Sequence, residues 1–292
     1  MANLFRVMSI IMLAWSMIPA HAQEFEGVST VYQFDVDKRK DYDFMYINEK
    51  VGKFYGLVIG VNDYYDKNIQ PLDNAIPDAA ELISTLTTAY TFNSEDITFL
   101  KNPVRVELIQ SFEALIGKMK PEDNLLIYYA GHGYWDKETR QGYWLLSDAI
   151  EKERSTWFLN ESLLRFVEKV DARHIFLVSD ACFSGGIFKV RSVEKMEYEA
   201  INKLYKFPSR KAMTSGALTT VPDKSLFSQT LIKRLNQNKS MYLSAERLFQ
   251  SLKNDVMVQG EQDQIPQFGE ISIDRNRGGD FIFFRREAEV KK

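Results

Sequence analysis

The chain has 292 residues, 45% of them hydrophobic, with 37 basic side chains set against 40 acidic ones. That near balance creates no field on which nucleic acid or an anionic membrane would gather, so neither is an expected partner. The one cysteine, Cys182, excludes an internal disulfide.

Residues 1–22 read as an export signal. Arg6 marks a basic front, Val7 to Ile18 is almost wholly apolar, and Ala20-His21-Ala22 gives the small-x-small pattern of a cleavage site. The apolar stretch is shorter than the about twenty residues that span a bilayer, so the expected location is periplasmic or extracellular, with no stable membrane insertion after removal of the signal. Residues 23–53 form an N-terminal extension or pro-segment. In it Val28, Thr30, Tyr32, Phe34 and Val36 alternate as in a strand able to join a sheet edge, and the basic triplet Lys38-Arg39-Lys40 follows.

From Phe54 short apolar runs alternate with stretches of helical period, the pattern of βαβ units. The expected fold over residues 54–286 is α/β: a mostly parallel central sheet of about six strands, flanked by helices on both faces. The first strands are expected at Phe54–Val61, Ile97–Leu100 and Leu125–Ala130, with helices starting near Pro77 and running over Val104–Met119 and Glu161–Val170. An aromatic hairpin turning on Gly142 should occupy Tyr134–Leu146. Ile175 to Val178, four apolar residues without alternation, read as a strand covered on both faces. A basic stretch, 187–211, precedes further strands at Lys211–Ser215, Gln267–Ile273 and Phe281–Phe284 and helices at Leu226–Leu235 and Ala245–Val258.

Ligands of open α/β sheets gather at the carboxyl ends of the strands, and the run from Ile175 carries Cys182 out of such an end to Gly185 and Gly186. A right-handed crossover makes this strand parallel to the one ending at Ala130, so His132, between Gly131 and Gly133, emerges at the same edge of the sheet. His174 begins the strand that Cys182 leaves, roughly 26 Å away along eight extended residues, and is structural or exposed. A free thiol is a liability in an oxidising compartment unless it is used. The pattern therefore points to Cys182 as nucleophile and His132 as its base, against the alternative of a small buried hydrophobe.

The blocks FYGLVIGVNDY (54–64), LDNAIPDAAEL (72–82), LLIYYAGHGY (125–134), SDACFSGG (179–186), TSGA (214–217) and SLFSQTLIKRL (225–235) make this sequence resemble the caspase-like cysteine peptidases, nearest the metacaspase and paracaspase branch. The fifty-residue gap from His132 to Cys182 matches the caspase spacing. The resemblance implies Cys182 as nucleophile, His132 as proton shuttle, and the N–H groups of Gly133 and Cys182 as the oxyanion hole. It implies two acids, Asp180 and Asp78, in a substrate pocket for Arg or Lys, which a pair of carboxylates would hold bidentately. It also implies a joint between large and small subunits over 187–211, where self-processing is an expectation and an uncut amphipathic insertion the alternative; at Lys38–Lys40 the readings are a solvated turn or a processing site. Phe183 stands where many metacaspases have His, and Leu218 where some relatives place a third pocket acid. No cofactor is expected; calcium activation fits the resemblance, but no ligand cluster of recognisable spacing is present and no metal site is assigned. The expected function is an exported cysteine endopeptidase acting on peptide or protein substrates with basic residues. The alternatives are a non-catalytic module that binds basic peptides and a peptide ligase using the same thioester.

Overall fold

The computed structural model describes residues 47, 49–181, 188–189, 198–216, 224–260, 264–273 and 275–286. The expected export signal, the alternating stretch 28–36, the triplet Lys38–Lys40, and Cys182, Phe183, Gly185, Gly186 and Leu218 lie outside them. Every element below belongs to one compact unit within residues 47–292.

The elements in chain order are β1 (Phe54–Gly60), α1 (Ala75–Ala89), β2 (Ile97–Lys101), α2 (Arg105–Lys118), β3 (Asn124–Ala130), β4 (Gly133–Asp136), β5 (Gln141–Trp144), β6 (Phe158–Leu159), α3 (Asn160–Lys169), β7 (His174–Asp180), β8 (Phe188–Lys189), α4 (Tyr198–Lys206), β9 (Ser209–Thr214), α5 (Leu226–Gln237), β10 (Tyr242–Ser244), α6 (Ala245–Gln259), β11 (Gln267–Ile271) and β12 (Ile282–Phe284). The central sheet runs β2-β1-β3-β7-β9-β11-β8. Its first five strands are parallel, and β11 and the two-residue β8 close it antiparallel. This is the mostly parallel α/β architecture expected, one short strand longer.

Every residue of β1, β3 and β7 is buried, because apolar layers cover both faces. On one face Leu57, Ile59, Ile127 and Leu177 pack with Leu108, Phe112 and Leu115 of α2 and Leu163 and Val167 of α3. On the other, Val58, Tyr128, Phe176 and Val178 pack with Leu82 and Leu86 of α1, Leu231 of α5 and Leu252 of α6. Unbroken apolar runs are what a strand facing core on both sides requires.

Three local expectations change. The hairpin turns at residues 137–140, where Arg140 takes a positive φ of 56°, while Gly142 sits inside β5 opposite Trp135. The stretch 187–211 carries β8 and α4, and β9 begins at Ser209 rather than Lys211. Arg210 is only 1% exposed and donates to the carbonyls of Ala172, Arg173 and Ser209. β12 pairs with β10 in a separate two-stranded sheet that the sequence pattern did not announce.

Candidate active site

β3 and β7 are adjacent and parallel, in register from Asn124↔His174 to Ala130↔Asp180. Both chains therefore leave the sheet at the same end: Gly131 and His132 from β3, and from β7 the buried Ala181, immediately before Cys182. Gly131 cannot carry a side chain without movement, since a Cβ there would lie 2.7 Å from the Tyr129 hydroxyl and 3.2 Å from Val61.

His132 is held from several sides. Its Nε2 lies 2.8 Å from the Gln70 carbonyl, and since a carbonyl only accepts, Nε2 carries a hydrogen, so in the neutral ring Nδ1 is the nitrogen with the lone pair. Its backbone N–H donates to the Tyr64 hydroxyl at 3.0 Å, and the Tyr64 ring lies 5.3 Å from the imidazole. Burial pushes the Tyr64 hydroxyl well above its ordinary pKa, so it remains a neutral phenol. The His132 carbonyl accepts from Leu145 N–H at 3.0 Å and sits 2.6 Å from the Tyr129 hydroxyl. Gln70 is presented by the loop after β1, which Asn62 organises: its side chain accepts from Ile76 N–H at the start of α1 and donates to the Asp73 carbonyl.

Gly133 opens β4 and faces Trp144 of β5. Because Leu145 N–H bonds the preceding carbonyl, that of His132, Gly133 and Trp144 form a non-hydrogen-bonded antiparallel pair, and the Gly133 N–H points away from the ladder.

Asp180, the last residue of β7, is 4% exposed, and the Ser228 hydroxyl donates to its Oδ2 at 2.5 Å. Since that hydrogen is committed, the Tyr128 hydroxyl donates to Ser228 Oγ, 2.6 Å away. Burial raises the Asp180 pKa above the usual carboxylate range, and hydrogen bonding from Ser225, Ser228 and Ser215 moderates the rise. Ser225 also caps α5, its side chain accepting from Ser228 N–H, so the helix begins at the carboxylate it helps to hold. Asp78, in the first turn of α1, is 8% exposed. Burial, and after it the charges of Asp180 and Asp78, hold the Tyr128 hydroxyl well above its ordinary pKa. Both acids therefore act on one buried tyrosine, and Asp180 is linked to it through the Ser228 hydroxyl.

His174 takes the structural course. It is fully buried, its Nδ1 2.7 Å from Ser209 Oγ and its Nε2 2.9 Å from the Tyr205 carbonyl, and burial lowers its pKa to about 3. Sequence reasoning missed Gln70, Tyr64, Ser225 and Ser228. Gln70 contributes its carbonyl, which every residue has, so its side chain gave no signal; the serines lie inside a quoted block, where a cap followed by a serine at the third helical position was there to be read.

Among the described residues no group of three or more His, Cys, Asp or Glu side chains is placed to hold a metal ion. No helix among them is long and apolar enough to cross a membrane.

A doubly covered, mostly parallel sheet with a Gly-His-Gly exit beside an Asp-Ala-Cys exit defines a caspase-type α/β domain, the domain class of cysteine peptidases. The caspase domain family model matches residues 53–276, and the chain belongs to that family. Metacaspase-1 of Saccharomyces cerevisiae strain S288c is 28% identical over 126 residues, covering 40% of this chain and 26% of the yeast protein. Metacaspase-1 of Candida glabrata is 31% identical over 99 residues, 31% of this chain and 25% of that protein. The match therefore spans about a quarter of these metacaspases' own length. Among solved structures, caspase-1 from Spodoptera frugiperda aligns with a TM-score of 0.56 at 12% identity, covering 80% of this chain and 92% of its own. A Geobacter sulfurreducens protein aligns at 0.53 with 15% identity, covering 78% and 99%. At such identities the structures speak for the fold.

Proposed function

We propose that this chain is an exported cysteine endopeptidase that cleaves after Arg or Lys through Cys182 and His132. The observation that carries the reading is the in-register pair of exits: His132 stands with Nε2 tied to Gln70, which leaves Nδ1 for the reaction, beside a β7 whose last residue is a buried carboxylate and whose next but one is Cys182. In this reading Nδ1 takes the thiol proton and Sγ bonds the scissile carbonyl carbon. The negative charge then forming on the oxygen meets the N–H groups of Gly133 and Cys182, donors of a kind worth about 3–4 kcal/mol each. The C–N bond breaks as Nδ1 returns the proton to the leaving amine. Water then attacks the thioester, Nδ1 accepts its proton, and Sγ leaves as the acid forms and is reprotonated. Asp180 and Asp78 capture the guanidinium or ammonium, and no cofactor enters.

The 187–211 stretch and Lys38–Lys40 are the places for self-processing, but Arg210 and Lys211, buried in β9, are poor candidates within it. Fluorogenic peptides ending in Arg, Lys or Asp, given to wild type and Cys182→Ala, test the reading. Cleavage after Arg or Lys that the variant abolishes supports it. Basic peptides bound without turnover would make the domain a binding module instead, and transfer to an added amine in preference to water would make it a ligase.

A further inference from the structure

β4 is the edge of a three-stranded sheet ordered β4-β5-β6 among the described residues. Its pairing with β5 alternates: Gly133↔Trp144 and Trp135↔Gly142 are non-hydrogen-bonded, whereas Tyr134↔Tyr143 and Asp136↔Gln141 carry the ladder bonds. The N–H and C=O groups of Gly133 and Trp135 therefore all point outward along one edge that starts next to His132. The edge is stiff. Trp135 packs on the main core, the Tyr134 ring lies 4.9 Å from that of Trp157, and Arg154 pairs with Asp136 at the strand's far end.

The two faces of the sheet decide which part of a peptide lies there. The acid pocket sits on the face that α1 and α5 cover, where Asp180 meets Ser228 and Ser228 meets Tyr128 of β3. The β4–β5 hairpin packs on the other face, Trp135 and Trp144 in the layer that holds α2 and α3, and His132 leads into it from the exit of β3. The leaving amine must take its proton from His132, so the residues that follow the scissile bond depart over β3, where β4 begins. With the Gly133 N–H on the scissile carbonyl oxygen, only a parallel run keeps these following residues on β4; an antiparallel run would place the preceding ones there.

We propose that the outer edge of β4 binds the leaving-group side of the peptide as an added parallel strand, the second residue after the scissile bond bridging Gly133 and Trp135. This rests on the peptidase reading above. The second residue's N–H donates to the Gly133 carbonyl and its carbonyl accepts from the Trp135 N–H, while the first and third residues turn their amides away. Both strands advance about 6.6 Å over two residues, so the repeat is matched. The substrate is thus an extended polypeptide on both sides of the bond, and its leaving side is recognised through main chain rather than side-chain identity.

The test leaves the protein unaltered. Peptides with Arg before the scissile bond and three residues after it are compared with versions N-methylated at the second or the third of those residues. Methylation at the second should lower kcat/KM about threefold to tenfold, the scale of one hydrogen bond, and methylation at the third should leave it unchanged. Equal losses at both positions, or none at either, would overturn the proposal. Trp135→Pro, which removes an N–H outside the hairpin ladder, should lower cleavage of the extended peptide by a similar factor and spare a fluorogenic Arg amide with nothing beyond the bond. If the variant loses both, its fold has failed and the methylated peptides decide. If wild type cleaves no Arg amide, the peptidase reading itself fails and this proposal falls with it.

Discussion

Asp180→Asn is the sharpest probe of the proposed basic specificity. Asparagine keeps the shape of the side chain, and its carbonyl oxygen still accepts from Ser228, so β7 and α5 keep their junction. What goes is the charge. A charge-assisted hydrogen bond from a guanidinium contributes about 1.5–3 kcal/mol, and one or two of them correspond to roughly a hundredfold or more in kcat/KM at about 1.4 kcal/mol per tenfold. Peptides with Arg or its neutral isostere citrulline before the scissile bond make the assay. Wild type should prefer Arg by about a hundredfold or more; the variant should bring the two within about tenfold, losing Arg cleavage while citrulline cleavage stays nearly constant. The pH dependence has a definite sign. Only ionised Asp180 captures a cation, and burial raises its pKa, so Arg cleavage should fall as pH drops through a value above the ordinary carboxylate range. Neither citrulline cleavage nor the variant should show that limb. Parallel loss on both peptides would mean that Asp180 only supports the fold, and an unchanged Arg preference would refute its place in the pocket.

Two buried groups should tilt stability in opposite senses with pH. Asp280, fully buried with its carboxylate accepting from Glu246 and Phe281 N–H, has its pKa raised from 3.8 to about 7 by burial, so the folded state gains stability as pH falls from 7 towards 4, by up to about 3 × 1.4 ≈ 4 kcal/mol. Urea midpoints of Asp280→Asn should therefore approach or exceed those of wild type at pH 8 and fall below them at pH 4.5; parallel curves would refute the shift. His174, lowered from 6.5 to about 3, is held neutral while the unfolded chain takes up a proton, so its contribution is lost as pH falls below about 6.5. His174→Gln should flatten that acid limb in the same titration.

The sheet was legible because β1, β3 and β7, buried at all seven positions, each carry a run of apolar residues through their middle, and a parallel sheet has few other ways to arrange them. His132 was legible because it stands just past the apolar run of β3, at the end of the sheet where ligands gather, whereas Asp180 came from the resemblance, as the residue two before the cysteine. What escaped was carried by main chain or by long-range pairing. β10 spans three residues, Tyr242–Ser244, and is a strand only because Ile282–Phe284 returns from about forty residues away to pair with it. The hairpin turn was misplaced because glycine is the usual marker of a left-handed turn position, whereas Arg140 adopts it, leaving Gly142 in the strand opposite Trp135. Arg210 reads as one charge of the basic stretch 187–211, yet the carbonyls of Val170, Ala172 and Arg173, just past the end of α3, and that of the neighbouring Ser209 give its buried guanidinium four acceptors.

The same dependence on main chain makes Gly131 the position where one methyl group should separate fold from activity. A Cβ there would stand 2.7 Å from the Tyr129 hydroxyl and 3.0 Å from its Cζ. The hydroxyl cannot give way freely, because its ring is stacked on the buried Trp144 at 4.2 Å and its oxygen lies between the carbonyls of His132 and Leu145. The backbone at 131 is then the part that yields, and His132 shifts with it away from Gln70 and from the β7 exit. Overpacking of this kind costs typically about 1–3 kcal/mol of stability, which a domain with two covered sheet faces survives. A 1 Å misplacement of a catalytic group costs on the order of a hundredfold in rate. Gly131→Ala should therefore melt cooperatively, only a few degrees below wild type, while kcat on an Arg peptide falls by about two orders of magnitude and KM moves little. A variant that folds and turns over at the wild-type rate would show that His132 does not depend on the geometry of the β3 exit, and the in-register argument for the site would lose its support.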